Sequence, residues 1–289
     1  NLVSRVKRYS KVTTSMTSLA TKFAGKKYLN FDLSDQKYAA QITEILGNLK
    51  GPLMKVAQLS ATIPDLLPEE YARKLAELQS NAPPMSWVFV KRRMKAELGE
   101  NWQSNFKEFN QEASFAASLG QVHKAKLKTN DYVACKLQYP DMSSAVEADL
   151  NQLKIIFKIY SSYNKSIQIR EIYKEIEARL KEELNYSLEN KHLKIFKFIH
   201  KNNSYIKIPN VYEKISTNRL LVMEFLNGKK LIEYKNAPQK TRNELAKKLF
   251  MAWYLPFYKY GIIHGDPHLG NYSVDNKNNI NLLDYGCVR

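Results

Sequence analysis

Cysteine is almost absent from this chain: only Cys135 and Cys287 occur, far apart, with no second Cys or His at metal-ligand spacing beside either. A disulfide framework or a structural zinc site is therefore not expected, and a reducing, cytoplasmic setting is. Glycine and proline are also scarce, at 10 each in 289 residues, and no Gly/Ser linker or internal repeat interrupts the pattern; low-complexity and solenoid architectures are not expected. No apolar run is long enough to cross a bilayer, and the start carries no basic-then-apolar leader.

With 44% hydrophobic residues, a chain of this length can bury one large core or two modest ones, enough for a two-lobed enzyme. The net charge of +17 favours polyanions in general: nucleotide phosphate, anionic lipid or nucleic acid. No RNA- or DNA-reading motif accompanies it, so no nucleic-acid partner is expected. The lysines are largely scattered through helical stretches, which reads first as solvated surface and second as an anionic membrane surface.

Residues 2–99 read as mostly helical, with apolar residues at three-to-four spacing over 34–49 and a proline-initiated helix over 68–78. After the break at 81–85, a helix is predicted over 86–98 with Ser86 as N-cap. From residue 109 the character changes. Segments 114–127 and 131–138, separated by the polar turn Lys128-Thr129-Asn130-Asp131, predict a β-hairpin, with Pro140 ending the second strand. Helices are predicted over 147–159, 171–198 and 241–260, and strands over 206–211 and 219–224. The fold class is α+β, with a helical extension over 1–108, a small lobe built on an antiparallel sheet over 109–226, and the beginning of a large lobe over 227–289.

The most informative stretch is 261–284, GIIHGDPHLGNYSVDNKNNINLLD. It carries Asp266, Asn271 five positions on and Asp284 thirteen beyond that, followed by Tyr285-Gly286. In protein kinases an Asp near the attacking group and an Asn five residues later share one loop, and a hairpin leads to a metal-binding Asp before an aromatic residue and a glycine. Carboxylate and amide oxygens are hard donors suited to Mg²⁺, and a carboxylate can orient or deprotonate a nucleophile. The plain alternative is a polar hairpin with His264 and His268 at its surface. Upstream, Lys136 lies in the strand VACKLQ (133–138), where a phosphate-pairing lysine belongs, although a lone strand lysine can also be an edge-protecting charge. Before it comes the small-residue loop Ala116-Ala117-Ser118-Leu119-Gly120-Gln121-Val122, whose short side chains permit close approach to phosphates. The lysine needs a helical carboxylate; Glu182, Glu183 and Glu189 are candidates and Glu189 is preferred. Residues 220–226 read as the last small-lobe strand running into a hinge, where backbone groups of Glu224 to Leu226 would meet adenine.

Together these motifs resemble the UbiB (AarF) family of atypical kinase-like ATPases. HGDPHLGN (264–271) is similar to the family's HGDPHPGN, SLGQVH (118–123) to the end of its alanine-rich loop and VACKLQYP (133–140) to its lysine strand; PEEYARKLAELQSNAPP (68–84) and ELNYSLEN (183–190) match further blocks. The resemblance runs from about Leu49 onward and implies ATP with Mg²⁺ as cofactors, Asp266, Lys136 and Glu189 as catalytic residues, and Asn271 and Asp284 as metal ligands. It also implies that Lys55 and Gln58 of the family's Lys-x-Gly-Gln motif face the nucleotide, partnered by Glu183. The implied partners are an anionic membrane surface or isoprenoid lipid and quinone-biosynthesis proteins, with peripheral attachment at the inner membrane surface. A nucleotide-responsive scaffold and a small-molecule or lipid phosphotransferase are the alternatives. Departures from the family pattern are Ala57, Phe115, Asn185, Leu269 and Tyr285. The chain stops three residues after Gly286, so an incomplete large lobe is expected.

Overall fold

Strand alternation decides the architecture: β3 (Gly120–Leu127) and β4 (Tyr132–Gln138) send successive residues to opposite faces, and both faces are buried. The computed structural model describes residues 85–117, 119–147, 150–151, 154, 169–266 and 268–289. The expected helices over 34–49 and 68–78 lie outside these residues, as does most of 147–159.

The first sheet runs β1 (Phe106–Phe109), β3, β4, β6 (Leu220–Glu224), all antiparallel, with β2 (Phe115–Ala117) also paired to β3. The single strand expected over 114–127 is thus two strands folded on each other. Gly120, at the start of β3, lets β4 come close: a Cβ there would sit 2.0 Å from the Leu137 carbonyl oxygen. The β3–β4 turn uses Asn130 at φ 72, a left-handed position that asparagine tolerates better than most residues.

One face of this sheet carries Val133, Cys135, Leu137, Leu220 and Val222, which pack on Val90 and Met94 of helix α1 (Trp87–Leu98) and on Trp102 and Phe106. Each fully buried Leu or Val stabilises by roughly 1.5–3 kcal/mol relative to exposure. Helix α1 and β1 pack with the sheet, because their apolar residues cover its outer face, and both lie within the compact unit Pro83–Arg289. Ser86 occupies the N-cap position in extended conformation, without a side-chain cap hydrogen bond.

The opposite face contributes Ala134, Leu221 and Met223 to a second core with Tyr186, Leu193 and Phe196, Leu245 and Ala252, and Tyr272, Ile280 and Leu282. The helix expected over 171–198 is two helices, α2 (Ile169–Glu183) and α3 (Tyr186–Ile199). The chain breaks at Asn185, whose side-chain oxygen accepts the Leu188 N–H at 3.0 Å and caps α3. The strand expected over 206–211 shortens to β5 (Ile206–Lys207), since Pro209 cannot donate to a ladder. Helix α4 (Gln239–Tyr260) ends on Gly261, left-handed at φ 65. A second sheet has the order β5, β9 (Ile280–Leu282), β8 (Tyr272–Val274), β7 (Lys229–Lys230), with β5 and β9 parallel. No helix among the described residues is long and apolar enough to cross a membrane.

Candidate active site

Lys136 stands on β4 opposite Val122 of β3 and Leu221 of β6, so the pleat aims it at α3. Its Nζ lies 2.8 and 3.0 Å from the Glu189 carboxylate oxygens and 3.0 Å from Asp284 Oδ2. The Tyr186 ring centroid is 5.3 Å away, within cation–π range. Glu189 occupies the first turn of α3 and is 3% exposed. Its position follows from the Asn185 cap: the helix starts where Glu189 meets the strand lysine. Burial pushes the Glu189 carboxyl up to about 7 against the pull of the Lys136 ammonium. Burial also opposes the charge on Lys136, but the Asp284 and Glu189 carboxylates outweigh it and hold the ammonium well above the usual lysine range.

The other wall is built from backbone. After Gly261 the chain runs alongside residues 287–289: Ile263 and Arg289 exchange two backbone hydrogen bonds and Gly265 N–H donates to the Cys287 carbonyl at 2.6 Å. A Cβ on Gly265 would lie 2.5 Å from that carbonyl oxygen, so this approach requires glycine. Asp266 Oδ1 accepts the His268 N–H at 3.3 Å, and the Asp266 carbonyl accepts from Asn271 Nδ2 at 3.2 Å. The β8–β9 hairpin brings Asn271 beside the metal turn, with Leu283 N–H donating to the Asn271 carbonyl at 3.0 Å. Asp284 Oδ1 accepts the Gly286 N–H at 2.9 Å.

His264 corrects the surface alternative. It is 3% exposed, its Nε2 donates to the Asp284 carbonyl at 2.6 Å, and its ring packs among Phe196, Trp253, Tyr272 and Tyr285. His268 is exposed, with Nδ1 accepting from Gly270 N–H. No local sequence signal separates the two histidines; only the aromatic cluster does.

The remaining expected residues divide. Ala116 and Ala117 lie on β2 opposite Gln121 and Gly120, and Val122 is half-buried on the Lys136 face. Gln121 points the other way: it is 1% exposed, and its side chain accepts the Met85 N–H at 2.6 Å and meets His123 Nε2 at 2.7 Å. Adjacent strand residues face opposite sides, so its side chain does not join Val122 and Lys136 on their face of the sheet. At the hinge, Glu224 N–H donates to the Asn210 carbonyl and Phe225 N–H to the Tyr132 carbonyl. Glu224 thus gives up its backbone donor, and its carboxylate takes the Asn210 amide. Leu226 follows on the same segment, and Asn281 pins the next residue through the Asn227 carbonyl at 3.1 Å. Glu183 closes α2, its Cγ 3.8 Å from where a Gly286 Cβ would stand. Ser118, Lys55 and Gln58 lie outside the described residues. Tyr186 and His192 were missed; their three-residue spacings about Glu189 are the signal that places them on its helix face.

A strand lysine tied to a helical carboxylate and to an Asp-aromatic-Gly turn, with a catalytic-type loop across a hairpin, is the arrangement that defines a protein-kinase-like protein. The ABC1 atypical kinase-like domain profile matches residues 77–289, and the chain belongs to that family. It is similar to Protein ACTIVITY OF BC1 COMPLEX KINASE 7, chloroplastic, of Arabidopsis thaliana, with 32% identity over 86% of this chain and 36% of the relative. Atypical kinase COQ8, mitochondrial, of Saccharomyces cerevisiae is 27% identical over 86% of this chain and 50% of the relative. Among solved structures, the Rv3197–erythromycin complex from Mycobacterium tuberculosis superposes with a TM-score of 0.64 at 27% identity, covering 88% of this chain and 65% of that one. The chain therefore spans a third to a half of the length of these two curated relatives.

Proposed function

We propose that this chain is the nucleotide-binding part of a Mg-ATP-dependent kinase-like enzyme or ATPase. The observation that carries the reading is the convergence of Lys136 on Glu189 and Asp284 at 2.8 and 3.0 Å. A buried lysine bridging two carboxylates, one of them 33% exposed in its side chain, is poised to exchange part of that pairing for phosphate oxygens. Glu189 then keeps the ammonium aimed while Asp284 is released toward a cation.

The donor set fits magnesium. Asp284 and Asn271 offer hard oxygens on adjacent strand ends, and Mg²⁺ needs only one or two protein groups when phosphates complete its shell. When bound, the ion neutralises phosphate charge. Ala116, Ala117, Gly120 and Val122 would line the phosphate and base side of the pocket. Asp266 would orient the attacking hydroxyl or water and take its proton, a contribution of typically 10²–10⁴ in rate, as an order of magnitude. In keeping with the family resemblance, the acceptor chemistry is assigned to ATP hydrolysis in support of ubiquinone-type lipid metabolism at an anionic membrane surface.

The test is Mg-ATP turnover by the full-length protein, with and without anionic liposomes, beside Asp266→Asn. Turnover lost in the variant and raised by liposomes is expected. Equal turnover by both proteins would remove Asp266 from the chemistry, and nucleotide binding without turnover in either would leave a scaffold.

A further inference from the structure

The Asp284-Tyr285-Gly286 turn is gripped from two sides. His264 holds the Asp284 carbonyl from the loop side. From the other side α3 takes both backbone groups of Tyr285: Glu189 Oε1 accepts its N–H at 3.4 Å, and His192 Nδ1 lies 3.0 Å from its carbonyl oxygen. A carbonyl only accepts, so His192 Nδ1 carries the proton. Glu189 and His192 are three residues apart and share one helix face.

We propose that His192 is a positioning residue for the metal-binding turn, locking the Tyr285–Gly286 peptide, whose N–H holds Asp284 Oδ1, to the helix that carries the Lys136 partner. Of the two α3 contacts on Tyr285, the Glu189 one is long, at 3.4 Å, and shared with Lys136, whereas the His192 bond is shorter, at 3.0 Å. Without it the Tyr285–Gly286 peptide loses the anchor on its carbonyl, and the Gly286 N–H that holds Asp284 Oδ1 at 2.9 Å is less firmly aimed. His192 is half-buried, which leaves room for substitution without a large packing loss. The consequence falls on magnesium use rather than on nucleotide contact, since Lys136 keeps its two hydrogen bonds to Glu189.

This inference rests on the Mg-nucleotide reading of the site. The test uses full-length protein and the ATP-induced rise in melting temperature, titrated with MgCl₂ and repeated in EDTA. His192→Leu, and the smaller His192→Ala in case the first fails to fold, should raise the half-saturating magnesium about fivefold, the effect expected from losing one hydrogen bond. The shift in EDTA should not move. His192→Asn, whose Nδ2 takes the place of Nδ1 as donor, should restore the wild-type value. A wild-type half-saturation in the Leu and Ala variants overturns the role of His192 alone. No magnesium-dependent shift in wild type overturns the metal site and this inference with it.

Discussion

The Lys136 wall of the site and its Asp266 wall are held by different physics. Around Lys136 the groups are dry and charged: Lys136 is 7% and Glu189 3% exposed, and each neutralises the other. Around Asp266 the groups are half-open to water and positioned by backbone hydrogen bonds through His268 N–H, Asn271 Nδ2 and the Gly265–Cys287 contact. The difference teaches that one wall couples chemistry to stability and the other does not. A buried pair cannot lose one member without stranding the other's charge, whereas a half-exposed carboxylate can be swapped for its amide with little structural consequence.

Substitution can break or sharpen this contrast. The largest effect is expected for Lys136→Met, which strands Glu189: chemical denaturation should show a loss of about 3–5 kcal/mol, while Asp266→Asn stays within about 0.5 kcal/mol of wild type. Equal losses would erase the distinction. Next comes the proton linkage of Glu189. Its carboxyl is raised from 4.5 to about 7 in the folded protein, so the folded state binds this proton more tightly than the unfolded state. The associated stability is complete below pH 4.5 and is lost as pH rises through about 7. The stability of wild type relative to Glu189→Gln should therefore fall across that window, and a flat difference would place the charge elsewhere. The smallest effect belongs to the cap that brings Glu189 into place: Asn185→Ala should cost about 1 kcal/mol, and Asn185→Asp, which keeps the acceptor, a few tenths at most.

That last pair bears on how the chain departs from its relatives. As a family departure, Asn185 reads as a lost charge near the site. In the structure its side chain caps α3, a task an amide performs as well as a carboxylate. The break it creates was invisible to periodicity, because apolar residues continue at helical spacing on both sides of it. Gln121 is the opposite case. Motif membership placed it with the phosphate loop, while strand alternation, legible in the sequence, sends it to the α1 face. Nothing in the amphipathic pattern of 86–98 says which sheet face its apolar stripe will cover.

Residue types and spacings along the chain were enough to point to a kinase-like protein with Lys136, Asp266, Asn271 and Asp284 as its candidate site, since such a loop and its hairpin are local and their offsets survive without the fold. Glu189 was already preferred over Glu182 and Glu183; burying His264 and bringing His192 to the Tyr285 carbonyl took the assembled molecule. Those choices depend on which helix face meets which strand, and that is settled by packing between segments as many as 96 residues apart, as in the Tyr285–Glu189 contact, over which sequence periodicity carries no information.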